Sequence, residues 1–368
     1  CYISSEAPQE KIELPDFEEV ARDKEKFAQM FHTFYQNNDP VTAKTLVQKH
    51  GMRYLVQTPP ALHLNMSELD DIHKIKYMRD AHPFYKNQGK IKALDTIRFS
   101  ILTHRGCYGE CNFCAISVHQ GRKVRWRSMQ SIVDEARDIA ANPDFKGIIH
   151  DVGGPTANMY GFECKRKDRE GCCTDKRCVF PDICAELPVN HSSQTTILKA
   201  IKDIKGVKRV NVASGIRYDM IVNDQRAGRS YLENLVENHV SGQLKIAPEH
   251  SETHVLDLMG KPSNENLAEF KRQFARATKK AGKKQFLTYY MIAAHPGCTE
   301  TDMKSLRKYA LSELGVLPEQ IQIFTPTPST YSTLMYWTGI DPFTGEKVFV
   351  EKGLRGKVKQ KNNLLATR

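Results

Sequence analysis

Three cysteines, Cys107, Cys111 and Cys114, fall within the run Gly106-Cys107-Tyr108-Gly109-Glu110-Cys111-Asn112-Phe113-Cys114. Thiols at this spacing can converge on one metal centre, because a short loop curls around it and glycine lets main chain come close. A four-iron cluster has four corners, and electron-transfer clusters fill all of them with cysteine. Three local cysteines leave one iron open to a substrate. The competing readings are unliganded thiols, or zinc with His104 or His119 as a further ligand.

A second set, Cys164, Cys172, Cys173, Cys178 and Cys184, is interspersed with Lys165, Arg166, Lys167, Arg169, Lys176 and Arg177. No long apolar stretch separates these residues, so the segment has little core of its own. A metal can supply that folding free energy. Iron–sulfur, zinc and disulfides all stay open here, with metal favoured over none. Adjacent Cys172 and Cys173 seldom both ligate one ion. Eight of the ten cysteines lie in these two sets. With no export signal in view, they point to a reducing cytoplasm rather than to a secreted disulfide scaffold.

The elements that must position these residues show a rhythm. Strands are expected at Thr96–Thr103, Gly147–Val152, Val207–Ala213, Gln243–Ala247, Gln285–Ile292 and Gln320–Phe324. Helices are expected at Ile132–Ala141, with Ser128 as N-cap, and at Ile197–Lys205, Tyr231–Asn238, Asn264–Ala281 and Thr301–Leu314. Such alternation predicts parallel β/α units, here six, forming a barrel or partial barrel. Functional groups then gather where strands end. The first cysteine set follows the first strand and Gly153-Gly154 the second. Ser214 and Arg217 follow the third, Glu249 and His250 the fourth, and His295 the fifth. Lys245 and Tyr290 are further candidates, whereas Met291 and Ile292 read as core. The cations of Arg122, Lys123, Arg125 and Arg127 suit either an anionic partner or a solvated edge.

Three regions are expected: a mostly helical 1–95, a barrel over 96–328 with a cysteine-rich insertion at 160–190, and an extension at 329–368. In the first, Phe17–Gln36, Val41–His50 and Ser67–Met78 read as helices, and nothing carries chemistry. The chain starts at Cys1 rather than Met and reads as a piece of a longer protein. Its 368 residues, 40% hydrophobic and 26% charged, suffice for a sizeable core. No apolar run approaches a membrane span. The net charge of +11 suits nucleic acid, an anionic cofactor or an acidic surface.

The C-x3-C-x2-C pattern with an aromatic before the last cysteine resembles the signature of the radical S-adenosylmethionine (SAM) superfamily. Further runs resemble its YgiQ-type (UPF0313) group: Gly153-Gly154-Pro155-Thr156-Ala157-Asn158-Met159-Tyr160, Ala213-Ser214-Gly215-Ile216-Arg217-Tyr218-Asp219, Ala247-Pro248-Glu249-His250 and Ala294-His295-Pro296-Gly297. The resemblance implies a (β/α)6 partial barrel and a [4Fe–4S] cluster on Cys107, Cys111 and Cys114. It also implies SAM on the open iron, cleaved reductively to a 5′-deoxyadenosyl radical. It implies Phe113 on the adenine side and Gly153 and Gly154 at the SAM amino group. Ser214 and Arg217 become candidates for SAM, and Glu249 and His250 for catalysis on substrate or SAM. It suggests Cys164, Cys173, Cys178 and Cys184 as a second metal-ligating set. The substrate, whether small molecule, peptide or RNA, is unidentified, and an external electron donor such as flavodoxin or ferredoxin is implied. The rival expectations are a non-catalytic iron–sulfur or zinc redox protein and an RNA-binding protein.

Overall fold

Parallel strands cannot be joined by tight turns, so a chain that alternates strand and helix lays each helix over the sheet it leaves. A computed structural model describes residues 1–85 and 87–365, and it shows this pattern. Ser100–Leu102 pairs parallel with Asp151–Gly153, and the adjoining Ile148–Ile149 pairs parallel with Arg209–Val210. A parallel bridge between Ile216 and Ile246 leads to Gln243–Glu249. That strand pairs with Phe286–Ala293, which pairs with Gln320–Ile323. Among the described residues no pairing joins the sixth strand to the first. The barrel is therefore partial, with α/β organisation and an open side.

Helices close the outer face with residues three and four apart. Ser128 caps Met129–Ala140 by accepting from the Ser131 amide at 3.1 Å, and this helix buries Ile132, Ala136 and Ile139. Glu265–Lys280 buries Leu267, Phe270, Phe274 and Ala277. These side chains join Ile101, Val152, Val210 and Leu244 from the strands in one core.

Several elements differ from the sequence expectation. The first strand is shorter, because residues 94–97 form a helical turn, Leu94–Ile97. Asp23 breaks the first helix into Phe17–Arg22 and Lys24–Gln36, and caps the second by accepting from the Glu25 and Lys26 amides. The expected helix at Val41–His50 is a correction: Leu46–His50 is a strand. It pairs antiparallel with Arg53–Gln57 around Gly51, which takes a positive φ. The N-terminal region thus holds a four-stranded sheet beside its helices. After the barrel, Tyr331–Thr338 packs on the Lys24–Gln36 helix, and Leu354–Leu364 packs on Glu300–Tyr309. Residues 366–368, the end of the expected extension, lie outside the described residues.

Candidate functional site: a cysteine loop at the barrel mouth

The first cysteine loop leaves the first strand and is pinned from several directions. Asn112 donates its main-chain N–H to Met259 O at 2.8 Å and its side-chain amide to Leu258 O at 2.9 Å. It accepts from Ser332 N on its carbonyl and from Arg177 Nη2 on its side-chain oxygen. Glu110, at φ 48°, accepts from the Tyr35 hydroxyl at 2.8 Å and from Arg122 Nη1 at 3.2 Å. Tyr35 thus ties the N-terminal region to the loop, which corrects the reading of that region as bare scaffold. No local sequence signal marks this long-range bond.

Gly109 sits where the sulfurs meet. A β-carbon there would stand 3.2 Å from Cys107 Sγ, 3.6 Å from Cys111 Sγ and 3.6 Å from Arg217 Nη1. The Gly109 amide donates to Cys107 Sγ at 3.3 Å, and Thr156 Oγ1 lies 3.5 Å from the same sulfur. Burial pushes the Cys111 thiol up, opposed by the nearby Lys261 and Arg217, and pushes Cys114 up to about 12. Burial outweighs the cations, so these thiols stay protonated on their own, and a bound metal would be what holds them as thiolates. His104 and His119 do not complete a zinc site. Both His104 nitrogens are engaged, by Thr103 Oγ1 and by the Thr156 carbonyl, and His119 is exposed.

Beside this loop opens a cavity of about 720 Å³ within the barrel, lined by Phe113, Ser214, Lys245, Glu249, Tyr290 and Phe324 among others. Phe113 packs edge-on against His295, which packs edge-on against Phe324. Ser214 Oγ donates to Asp151, whose carboxylate also accepts from the Ala213 and Ser214 amides at 2.8 and 3.1 Å. Asp151 lines the cavity and was not expected from sequence. Met291 and Ile292 are buried and border the cavity, so they serve both as core and as wall.

Gly154 lies against the His104 ring: a β-carbon there would stand 2.4 Å from His104 Nε2. Gly153 accepts from Thr103 N at 2.7 Å, and a β-carbon on it would meet Ala157 at 3.2 Å. A side chain at Gly154 would collide with the His104 ring, whereas one at Gly153 would meet a tight but not forbidden contact.

Glu249 ends the fourth strand at φ 69°, a left-handed conformation that side chains rarely take. Burial pushes its carboxyl up, while Lys261 and Arg217 pull it back. His250 is a correction. It is fully buried and does not line the cavity. Its Nδ1 accepts from Glu252 N at 3.1 Å, and its Nε2 lies 3.5 Å from Cys298 Sγ. Burial lowers its pKa to about 4, so it is a neutral packing histidine. His295 is likewise enclosed, with Nε2 at 2.6 Å from Ser332 Oγ.

Arg217 does not enter the cavity either. It lies behind the cysteine loop, buried, in a two-pronged pair with Asp219. Burial opposes its charge, and Asp219 more than restores it. The basic run is fully paired among the described residues. Arg122 meets Glu110, Lys123 meets Asp168, Arg125 meets Glu163 and Arg127 meets Glu135. It is neither a free anion site nor a solvated edge.

Residues 101–310 match the radical SAM superfamily and residues 1–100 match the radical SAM N-terminal family. This chain belongs to the radical SAM superfamily, in its UPF0313 group. A UPF0313 protein of Fusobacterium nucleatum is 55% identical over 98% of the chain, and one of Methanosarcina acetivorans is 45% identical over 96%. The chain spans 64% and 46% of those two relatives' own lengths. Among solved structures, the radical SAM methyltransferase TsrM from Kitasatospora setae is similar over 74% of this chain and 45% of its own. Its TM-score is 0.42 and its identity 16%. No described helix is long and apolar enough to cross a membrane.

Proposed function

We propose that Cys107, Cys111 and Cys114 hold a [4Fe–4S] cluster, and that SAM binds beside it in the barrel cavity. The observation that carries this reading is the meeting of Cys107 Sγ, Cys111 Sγ and the Arg217 guanidinium around Gly109, at the edge of a cavity lined by Phe113 and Glu249. When bound and reduced, the cluster supplies the electron that cleaves SAM to a 5′-deoxyadenosyl radical, which takes hydrogen from a substrate.

The chain's own residues bind and orient. Gly109 leaves room for the sulfurs, and its N–H, the Arg217 guanidinium and the Lys261 ammonium offset thiolate charge. Phe113 offers an apolar face to the adenine. Gly153 and Gly154 keep the second strand's end open for main-chain contact with the SAM amino group. Ser214, fixed by Asp151, faces the ribose, and Glu249 faces a SAM or substrate cation. Burial excludes water from this side of the loop. The substrate is unidentified, and an external one-electron donor such as a flavodoxin or ferredoxin supplies the reduction. All ten cysteines are free, which suits a reducing compartment such as the cytoplasm.

The test is anaerobic. The protein is reconstituted with iron and sulfide, given SAM and dithionite, and assayed for 5′-deoxyadenosine beside Cys107→Ala, Cys111→Ala and Cys114→Ala. Formation by the wild type and loss in all three variants is expected. A loaded cluster that neither binds nor cleaves SAM would overturn the reading.

A further inference from the structure

We propose that the substrate taken by the barrel cavity is a small molecule with a carboxylate, and that the ammonium of Lys245 holds this group at the end away from the cysteine loop. The inference rests on the SAM reading of the same cavity and adds the class of the substrate to it.

The position of Lys245 follows from the strand. Successive side chains point to opposite faces, so every second residue of Gln243–Glu249 turns into the barrel. Leu244 and Ile246 are buried in the core, while Lys245, Ala247 and Glu249 line the cavity. Glu249 marks the cysteine-loop end, where its charge helps to push the Cys111 and Cys114 thiols up. Lys245 comes four residues earlier, which is about 13 Å of extended strand. In the SAM reading the cofactor sits on the open iron, at the Glu249 end. Lys245 is therefore left to the substrate.

Charge supplies the second observation. Among the described residues Lys245 is the one cation on the cavity wall. It is half-buried and has no carboxylate partner among the described residues. The two carboxylates on the same wall are engaged elsewhere. Asp151 accepts from Ala213 and Ser214, and Glu249 stands in the field of Lys261 and Arg217. Withdrawing an ammonium from water without an anion costs free energy, which a bound anion returns. Two neutral donors extend the site. Lys245 is in register with Thr288, and Tyr290 stands two residues on, on the same face of the neighbouring strand. Gln322 lines the cavity from the strand beyond. Neither the Tyr290 hydroxyl nor the Gln322 amide has a hydrogen-bond partner among the described residues.

The number of charges and donors selects the ligand. One ammonium with two neutral donors matches a group with one negative charge and two acceptor oxygens, which is a carboxylate. A phosphate monoester carries nearly twice that charge. A polynucleotide needs a track of cations. The wall offers one, and the nearby Arg122 and Arg127 are paired with Glu110 and Glu135. Ile292 and Phe324 give the rest of the wall an apolar surface. An acid anchored on Lys245 extends its carbon frame along them toward the cysteine-loop end.

The probe is radiolabelled benzoate, a carboxylate on an apolar ring, in equilibrium dialysis against the anaerobically reconstituted, SAM-loaded protein. Saturable binding in the millimolar range is expected, with benzamide, inorganic phosphate and AMP each displacing the label less well than unlabelled benzoate. Lys245→Met should lower benzoate affinity about tenfold and Tyr290→Phe about threefold, whereas Lys245→Arg keeps most of it. SAM dialysis on the same samples should show Lys245→Met binding SAM as the wild type does, which also shows that the variant is folded. No saturable benzoate binding, equal displacement by benzamide, or equal affinity in the wild type and Lys245→Met would overturn the proposal. Stronger displacement by phosphate or AMP would overturn the carboxylate assignment, and loss of SAM binding in Lys245→Met would overturn the assignment of this lysine to the substrate. A wild type that takes benzoate through Lys245 but binds no SAM would instead overturn the SAM reading and leave the carboxylate site standing.

Discussion

Asn158 grips Arg217 through both of its main-chain groups. The Arg217 amide donates to Asn158 Oδ1 at 2.8 Å, and Asn158 Nδ2 donates to the Arg217 carbonyl at 3.0 Å. Asn158 Nδ2 also donates to His191 Nε2 at 3.0 Å, and His191 Nδ1 donates to Asp224 Oδ2 at 2.8 Å. A buried line thus runs from Asp224 to the arginine behind the cysteine loop. Asn158→Ala strands two buried main-chain groups and is expected to destabilise the chain by about 3 kcal/mol in denaturant unfolding. It also lets Arg217 move, so the absorbance spectrum and potential of the first cluster should shift while Arg217 remains present. An unchanged spectrum would separate fold from site.

The same line gives a pH dependence. Burial alone would raise the Asp224 pKa, but His191 and the surrounding amides outweigh it and hold the carboxyl down at about 2. A carboxyl with a lowered folded pKa contributes stability above its unfolded value near 3.8, and that contribution is lost as pH falls toward 2. The difference is worth about 2 kcal/mol for this unexposed side chain. Asp224→Asn should therefore be less stable than wild type at pH 6 and nearly equal to it at pH 2. Urea titrations at the two values measure the gap, and a gap that persists at pH 2 would refute the ionic cause.

Glu249 combines a left-handed backbone with a buried carboxyl at the cavity wall. Glycine takes that conformation freely, whereas a side chain there is strained by about 1 kcal/mol. Glu249→Gly should keep or raise thermal stability and weaken SAM binding. Glu249→Gln should weaken SAM binding about tenfold, as expected for one lost charged hydrogen bond, with iron content unchanged. Equilibrium dialysis with SAM and iron analysis check both.

How far the sequence reaches depends on whether the signal is local. Ser128 caps its helix as read, because a cap bonds three residues ahead. The order of six strands follows from alternation alone. Leu46–His50 escapes, because its partner Arg53–Gln57 lies beyond a turn that Gly51 makes possible, while Asp39-Pro40 imitates a helix start. The basic run escapes because its carboxylates, Glu110, Glu135, Glu163 and Asp168, are scattered along the chain. Pro248-Glu249-His250 shows the limit most clearly. The strand ends there, so Glu249 turns into the cavity and His250 turns away toward Cys298.

Gly154 offers a test with its own rescue. A β-carbon at this position would sit 2.4 Å from His104 Nε2 and 2.6 Å from two ring carbons. The ring cannot swing aside freely, because Thr103 and Thr156 hold both nitrogens. Gly154→Ala is expected to cost about 1–3 kcal/mol of stability through overpacking, and to displace the second strand's end from the cavity. Its SAM affinity should fall, with the iron of the first cluster retained. Removing the obstacle supplies the control: His104→Ala beside Gly154→Ala gives the methyl group room. The double variant should recover part of the SAM affinity that the single variant loses, which dialysis measures directly. If the double variant binds no better than Gly154→Ala, the loss comes from main-chain freedom at 154 rather than from the clash with His104.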